Sequence, residues 1–327
     1  MTLTPDQISY LVFGIVIVVA LVFDMGLFSK KNTAITIKTA LWQSVFWVAL
    51  GLGFFVFLIF EENKTVALEY LSAYLMEKSL SIDNIFVFIL IFNAFRVKEI
   101  YYSRALLFGV LMAIVFRIIF ITLGVELVNR FHWILYVFGA FLVYTGIKMF
   151  TASDDEEFDP KGHPVYKWMK KVLPLVPHDG GGKYTIKEDG KRRYTMLFVV
   201  VVMLSVIDLV FAVDSIPAVM GISTNKMVIY TSNIFAVLGL RSLFFLLRGA
   251  ITKFDYLQQG IAVVLIFIGA KMLGEHWISQ WVGKSQQVIL SLLVIVLCIA
   301  GSIVYSILKK RKGVPDEEEK IADAPND

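Results

Sequence analysis

Apolar residues in this chain fall into nine long runs, at about 9–28, 40–60, 67–93, 105–128, 132–150, 195–220, 227–247, 257–278 and 287–308, with short polar breaks between them. A run of roughly 18 or more apolar residues is long enough to cross a bilayer as a helix. The pattern therefore predicts an all-α polytopic membrane protein with about nine transmembrane helices. Two stretches break it. Residues 151–194 open with the acidic run Asp154–Asp159 and then turn basic, and residues 309–327 end in an acidic tail without apolar periodicity. The expected organisation is a transmembrane domain over 1–308, a solvated cytoplasmic connector over 151–194, and a disordered cytoplasmic tail over 309–327.

The polar positions inside the apolar runs carry the chemistry. Glu77 and Asp83 sit in EKSLSIDNIFVF, and Asp208 and Asp214 in DLVFAVDSIPAV, six residues apart in both. A carboxylate at the membrane centre costs about 2.5–3.5 kcal/mol on insertion scales, which makes intramembrane acids functional-site candidates. On an ideal helix the two acids of a pair lie about 120° apart and roughly 9 Å along the axis. They face one ion only if the helix is broken; otherwise they line a pathway. Pro217 removes a backbone donor and crowds the preceding turn, which favours a break after Asp214. Ser79, Ser81 and Asn84 add polar atoms in the first segment.

A second regularity organises these acids. Phe131, Leu142, Gly146, Lys148 and Met149 recur at an offset of 123 as Phe254, Leu265, Gly269, Lys271 and Met272. Arg117 falls near Arg241, each inside an apolar run, and the acid pairs lie upstream of both. One unit spans about 67–150 and the other about 195–278. Each holds an odd number of spans, so a second copy enters the membrane from the opposite side. That predicts an inverted three-helix repeat, with the site near the midplane where the units meet.

Composition agrees: 57% of residues are hydrophobic and 18% charged, against about 45–50% and about 25% in soluble domains. The net charge of +4 says less than its distribution. Lys and Arg concentrate after runs one, three, five and seven and at the start of the tail, and Lys and Arg enrichment marks cytoplasmic loops. The expected orientation is N-terminus outside and C-terminus cytoplasmic, in the cell (inner) membrane. The first run lacks a basic flank and is expected to be a retained helix. A single cysteine, Cys298, rules out an internal disulfide and a Cys-based zinc site.

Carboxylates with amide and backbone oxygens form a hard donor set, suited to Mg²⁺, Ca²⁺ or Mn²⁺. Four carboxylates exceed the charge of one divalent ion, so some are protonated or paired with Arg117 and Arg241. Proton exchange on metal binding would couple metal export to proton entry. Asn233 is a ligand on one side or a helix–helix hydrogen bond; Asp24 is a boundary residue or an entry-path acid. Lys78 offsets Glu77 or reaches outward.

The segments EKSLSIDNIFVF, DLVFAVDSIPA, TSNIFAVLGLR and FIGAKM resemble the TerC family of bacterial membrane proteins, over roughly residues 10–278. The resemblance implies manganese export and supply of manganese to exported metalloenzymes, through transporters built from inverted three-helix repeats. It implies metal-site roles for Glu77, Asp83, Asn84, Asp208 and Asp214, and an acidic role for Asp24. The partners expected are the lipid bilayer, a divalent cation and exported enzymes or secretion machinery, with no nucleic acid. A membrane scaffold or metal-delivery partner is the alternative. An intramembrane aspartate protease is disfavoured, because the chain lacks GxGD and HExxH motifs, and no enzymatic activity is expected. Tellurite transport is disfavoured too, since clustered carboxylates repel an oxyanion.

Overall fold

The computed structural model describes residues 5–27, 35–151, 159–188, 190–248 and 256–313. In chain order the described elements are α1 (Pro5–Leu27), α2 (Ile37–Glu61), α3 (Lys64–Ala94), α4 (Tyr102–Arg130), α5 (Ile134–Thr151), α6 (Pro164–Val172), β1 (Thr185–Glu188), β2 (Lys191–Tyr194), α7 (Met196–Ile222), α8 (Lys226–Leu238), α9 (Leu240–Leu247), α10 (Leu257–Leu273), α11 (Glu275–Trp281) and α12 (Lys284–Gly313). Local chemistry sets several ends. The Asn63 side chain accepts from Val66 N–H at 3.0 Å and starts α3, and Asn225 does the same for Met227 at 2.9 Å at the start of α8.

Among the described residues, four helices are long and apolar enough to cross a membrane: Ile37–Glu61, Glu99–Arg130 (with its leading 3₁₀ turn), Met196–Ile222 and Ser285–Lys309. Two bent pairs raise this to six: α8 with α9, bent by 40°, and α10 with α11, bent by 80°. Gln7–Val22 and Ile134–Phe150 are shorter apolar helices. α3 has 31 residues but carries Glu69, Glu77, Lys78 and Asp83, which lowers its mean hydropathy. The outward faces are apolar: Val22, Trp42, Leu123, Tyr144 and Leu297 are all exposed, the arrangement expected where lipid replaces water.

α7 and α8 lie in the centre, buried over most of their lengths. α3 packs on both α7 and α8, and so does α4. α5 and α10 pack closely along most of their lengths. Small residues permit that approach: a Cβ on Gly269 would stand 2.6 Å from the Gly139 carbonyl oxygen, and one on Gly146 2.8 Å from that of Ala262.

The structure overturns one expectation and adds detail to another. Pro217 does not break its helix: α7 runs unbroken from Met196 to Ile222 with Pro217 inside it. A membrane helix tolerates proline because neighbouring groups compensate the freed carbonyl. The bend falls at Gly239 instead, between α8 and α9. The connector 151–194 is also folded where it is described. Its hairpin pairs Thr185 with Tyr194 and Glu188 with Lys191. Met169 and Val176 are buried, Tyr166 packs edge-on against Phe95, and Arg104 donates to the Gly182 carbonyl at 3.0 Å. Of the tail, α12 continues to Gly313, and residues 314–327 lie outside the described residues.

Candidate functional site

The first acid of each pair meets at a single arginine. Arg117, from the middle of α4, is 1% exposed. Its Nε donates to Asp208 Oδ2 at 2.7 Å and its Nη2 to Asp208 Oδ1 at 3.3 Å, the bidentate fork that guanidinium and carboxylate share. Its Nη1 donates to Glu77 Oε1 and, at 3.0 Å, to Asn233 Oδ1. Asn84 Nδ2 donates to Asp208 Oδ1 at 3.3 Å. Four helices therefore contribute to one buried cluster: Glu77 and Asn84 from α3, Arg117 from α4, Asp208 from α7 and Asn233 from α8. Glu77, Asn84, Asp208 and Asn233 are each at most 2% exposed.

The register explains the convergence. Glu77 and Asn84 are seven residues apart, about two helical turns, so they share one face of the continuous α3. Asn233 joins the cluster through hydrogen bonds: its Oδ1 accepts from Arg117, and its Nδ2 donates to the Ile229 carbonyl one turn back at 3.0 Å. Lys78 follows neither expectation. Its Nζ donates to the Ala236 carbonyl at 3.2 Å, close to the bend at Gly239.

The charge balance of the cluster is uneven. With both acids ionised, two carboxylates face one guanidinium, leaving one net negative charge. Glu77 Oε2 has no hydrogen-bond partner among the described residues. A buried, unpartnered carboxylate oxygen is costly and calls for a cation or a proton. The oxygens of Glu77, Asp208 and Asn233 all accept here, and the donors are the guanidinium and the Asn84 amide nitrogen.

Asp214 does not join this cluster. It lies half-buried on a recess of about 430 Å³, lined also by Leu80, Asn84, Thr145, Lys148 and Phe211, and accepts from Thr145 Oγ1 at 3.4 Å. Asn84 thus touches both places, bonded to Asp208 on one side and lining the Asp214 recess on the other. Asp24 falls within α1 and Asp83 within α3, but their side chains lie outside the described residues. Arg241 is buried in α9, just past the bend. No group of three or more His, Cys, Asp or Glu side chains that could hold a metal ion occurs among the described residues. Sequence reasoning missed Thr145 and the second buried acid of α3, Glu69, which accepts from Ser223 Oγ. Glu69 was legible as an acid inside an apolar run; Thr145 carries no distinctive sequence signal.

These features define an integral, multi-pass helical membrane protein with an ion-paired polar cluster buried between its central helices. The sequence pattern of the "Integral membrane protein TerC family" matches residues 62–313, and the chain belongs to that family. It is 38% identical over 309 residues to the "Uncharacterized membrane protein STKORF319" of Myxococcus xanthus, covering 94% of this chain and 93% of that one. It is 39% identical over 302 residues to an "Uncharacterized membrane protein" of Rickettsia felis, covering 92% and 98%. It is 37% identical over 310 residues to the "Putative membrane-bound redox modulator Alx" of Escherichia coli K12, covering 92% and 96%. No solved structure matches the chain.

Proposed function

We propose that this protein exports a divalent metal cation, Mn²⁺ foremost, using the intramembrane carboxylates as its ion site. The observation that carries the reading is the buried cluster: two acids, Glu77 of α3 and Asp208 of α7, share one guanidinium, and Glu77 Oε2 has no hydrogen-bond partner among the described residues. In this conformation Arg117 holds the place between the acids that a metal would take. Metal binding requires the guanidinium to withdraw, after which Glu77 and Asp208 offer hard oxygen donors, joined by Asn84 once its amide turns its oxygen toward them. The Asp214 recess, reached through Asn84, is the adjoining stage of the path. Proton uptake by the acids on metal release would couple export to proton entry.

The proposed scaffold is an inverted repeat of three spans, α3–α5 against α7–α10, within nine spans, with the N-terminus outside and the C-terminus cytoplasmic. The reciprocal packing supports it: α3 lies on α8 as α4 lies on α7, and α5 meets α10 through the recurring Gly146 and Gly269. A redox role, as printed for the E. coli relative, would have to run without an internal disulfide, since the chain has the one cysteine, Cys298.

The test is Mn²⁺ flux into proteoliposomes holding the purified protein, with and without a pH gradient. Wild type is compared with Asp83→Asn and Asp214→Asn. Flux in wild type that both variants abolish is the expected result. Absence of Mn²⁺, Ca²⁺ and Mg²⁺ flux from well-folded protein would sink transport and favour a scaffold that delivers metal to a partner. Flux indifferent to the pH gradient would remove only the proton coupling.

A further inference from the structure

A second polar place lies away from the acid cluster, where the folded connector meets the helix ends. It is a cleft of about 450 Å³ lined by Arg96 and Lys98 between α3 and α4, Lys161 and Tyr166 at α6, and His178 and Asp179 before the hairpin. Its one acid is already engaged. Asp179 Oδ2 lies 3.5 Å from Lys98 Nζ, and its Oδ1 accepts from Gly181 N–H at 3.0 Å. His178 Nδ1 accepts from Gly180 N–H at 3.1 Å, which leaves Nε2 as the N–H donor. Arg96 and Lys161 have no ion-pair partner among the described residues. The cleft therefore holds two cations without an ion pair beside an N–H donor and a phenol, with the Asp159 carboxylate taken up by the Lys161 backbone N–H at 3.0 Å.

The backbone at Arg96 adds a second observation. Arg96 has φ 49°, and no other non-glycine residue among those described has a positive φ. It follows the cap of α3, where its own N–H returns to the Asn93 carbonyl and that of Val97 to the Phe92 carbonyl, each at 3.1 Å. Glycine takes this left-handed conformation freely and dominates at such caps; arginine is strained there. Strain of this kind persists where the side chain is used.

We infer that this cleft binds a phosphate group. Guanidinium supplies a planar fork for two phosphate oxygens, and lysine a point charge beside it. The cleft also touches Ala94, at the end of α3, and Met196, at the start of α7, so a bound anion ties together the two helices that carry the acid pairs. The assignment stands independently of which ion the membrane domain carries. A free phosphate anion and a phospholipid headgroup share the required chemistry.

The full chain in nanodiscs separates the two sources. One arm uses neutral phosphatidylcholine and titrates inorganic phosphate against sodium chloride of equal ionic strength. The other replaces part of the lipid with phosphatidylglycerol and adds no phosphate. The readout is the thermal unfolding midpoint, which a ligand of the folded state raises. A rise in the first arm identifies a free anion, and a rise in the second alone a headgroup. Both Arg96→Gly and Lys161→Gln are expected to lose the rise, while Arg96→Gly starts from a higher midpoint than wild type because its cap is relaxed. No rise in either arm, an equal rise with chloride, or an undiminished rise in both variants would overturn the inference. An Arg96→Gly midpoint at or below that of wild type without anion would overturn the strain that supports it.

Discussion

At the residue scale, Arg117 and the acids around it form one bonded unit, and their substitutions would separate an effect on folding from one on the proposed transport. Removing one partner of a buried ion pair leaves an uncompensated charge and costs about 3–5 kcal/mol. Arg117→Gln is therefore expected to lower the thermal unfolding midpoint sharply in detergent, and Arg117→Gln with Asp208→Asn to recover part of the loss, because fewer charges stay unpaired. Asp214→Asn should behave differently. Its carboxylate is half-buried, with a single long bond from Thr145 among the described residues, so stability should change by less than about 1 kcal/mol while Mn²⁺ flux is lost. Asn84→Ala should lower flux at modest cost in stability, since it removes the one side chain that touches both Asp208 and the Asp214 recess. The identities of these residues were legible in the sequence, because acids, Asn and Arg inside apolar runs are costly and stand out. Their pairing was not. Nothing in the spacing of Glu77 and Asp208 says that Arg117 lies between them; that depends on how α3, α4 and α7 pack.

At the element scale, the sequence made the helices visible and misplaced one bend. The apolar runs correspond closely to α2, α4, α7 and α12, where hydropathy alone decides. The Pro217 expectation failed because a local rule for soluble helices gave way to packing: α7 is enclosed by neighbours that keep it continuous, and the bend moved to Gly239, beside the reach of Lys78. The folded connector was missed because its short strands and nine-residue α6 carry little periodicity of their own. The α5–α10 contact was foreshadowed by the recurring glycines. Replacing Gly269 with alanine would drive a Cβ onto the Gly139 carbonyl, a clash expected to cost about 1–3 kcal/mol, whereas Gly14→Ala, in open space, should be neutral; unfolding midpoints of the two variants check this.

At the scale of the whole molecule, orientation is the property to establish next. On a Cys298→Ser background, single cysteines at Lys161 and at Lys226 are expected to react with an impermeant thiol reagent from opposite sides of the membrane, Lys226→Cys from outside and Lys161→Cys from the cytoplasm. Labelling of both from one side would overturn the proposed topology. The cluster at the centre has a further consequence. If the protein carries a cation as proposed, Arg117 is a tethered competitor: an arriving ion would gain only the difference between its own attraction to the acids and that of a guanidinium already in place. A monovalent ion matches that charge without the arginine's multiple bonds and gains nothing, whereas a divalent ion outbids it. The same rivalry hastens unloading, since the arginine returns as the cargo departs. Selectivity by valence and easy release would then both come from one side chain.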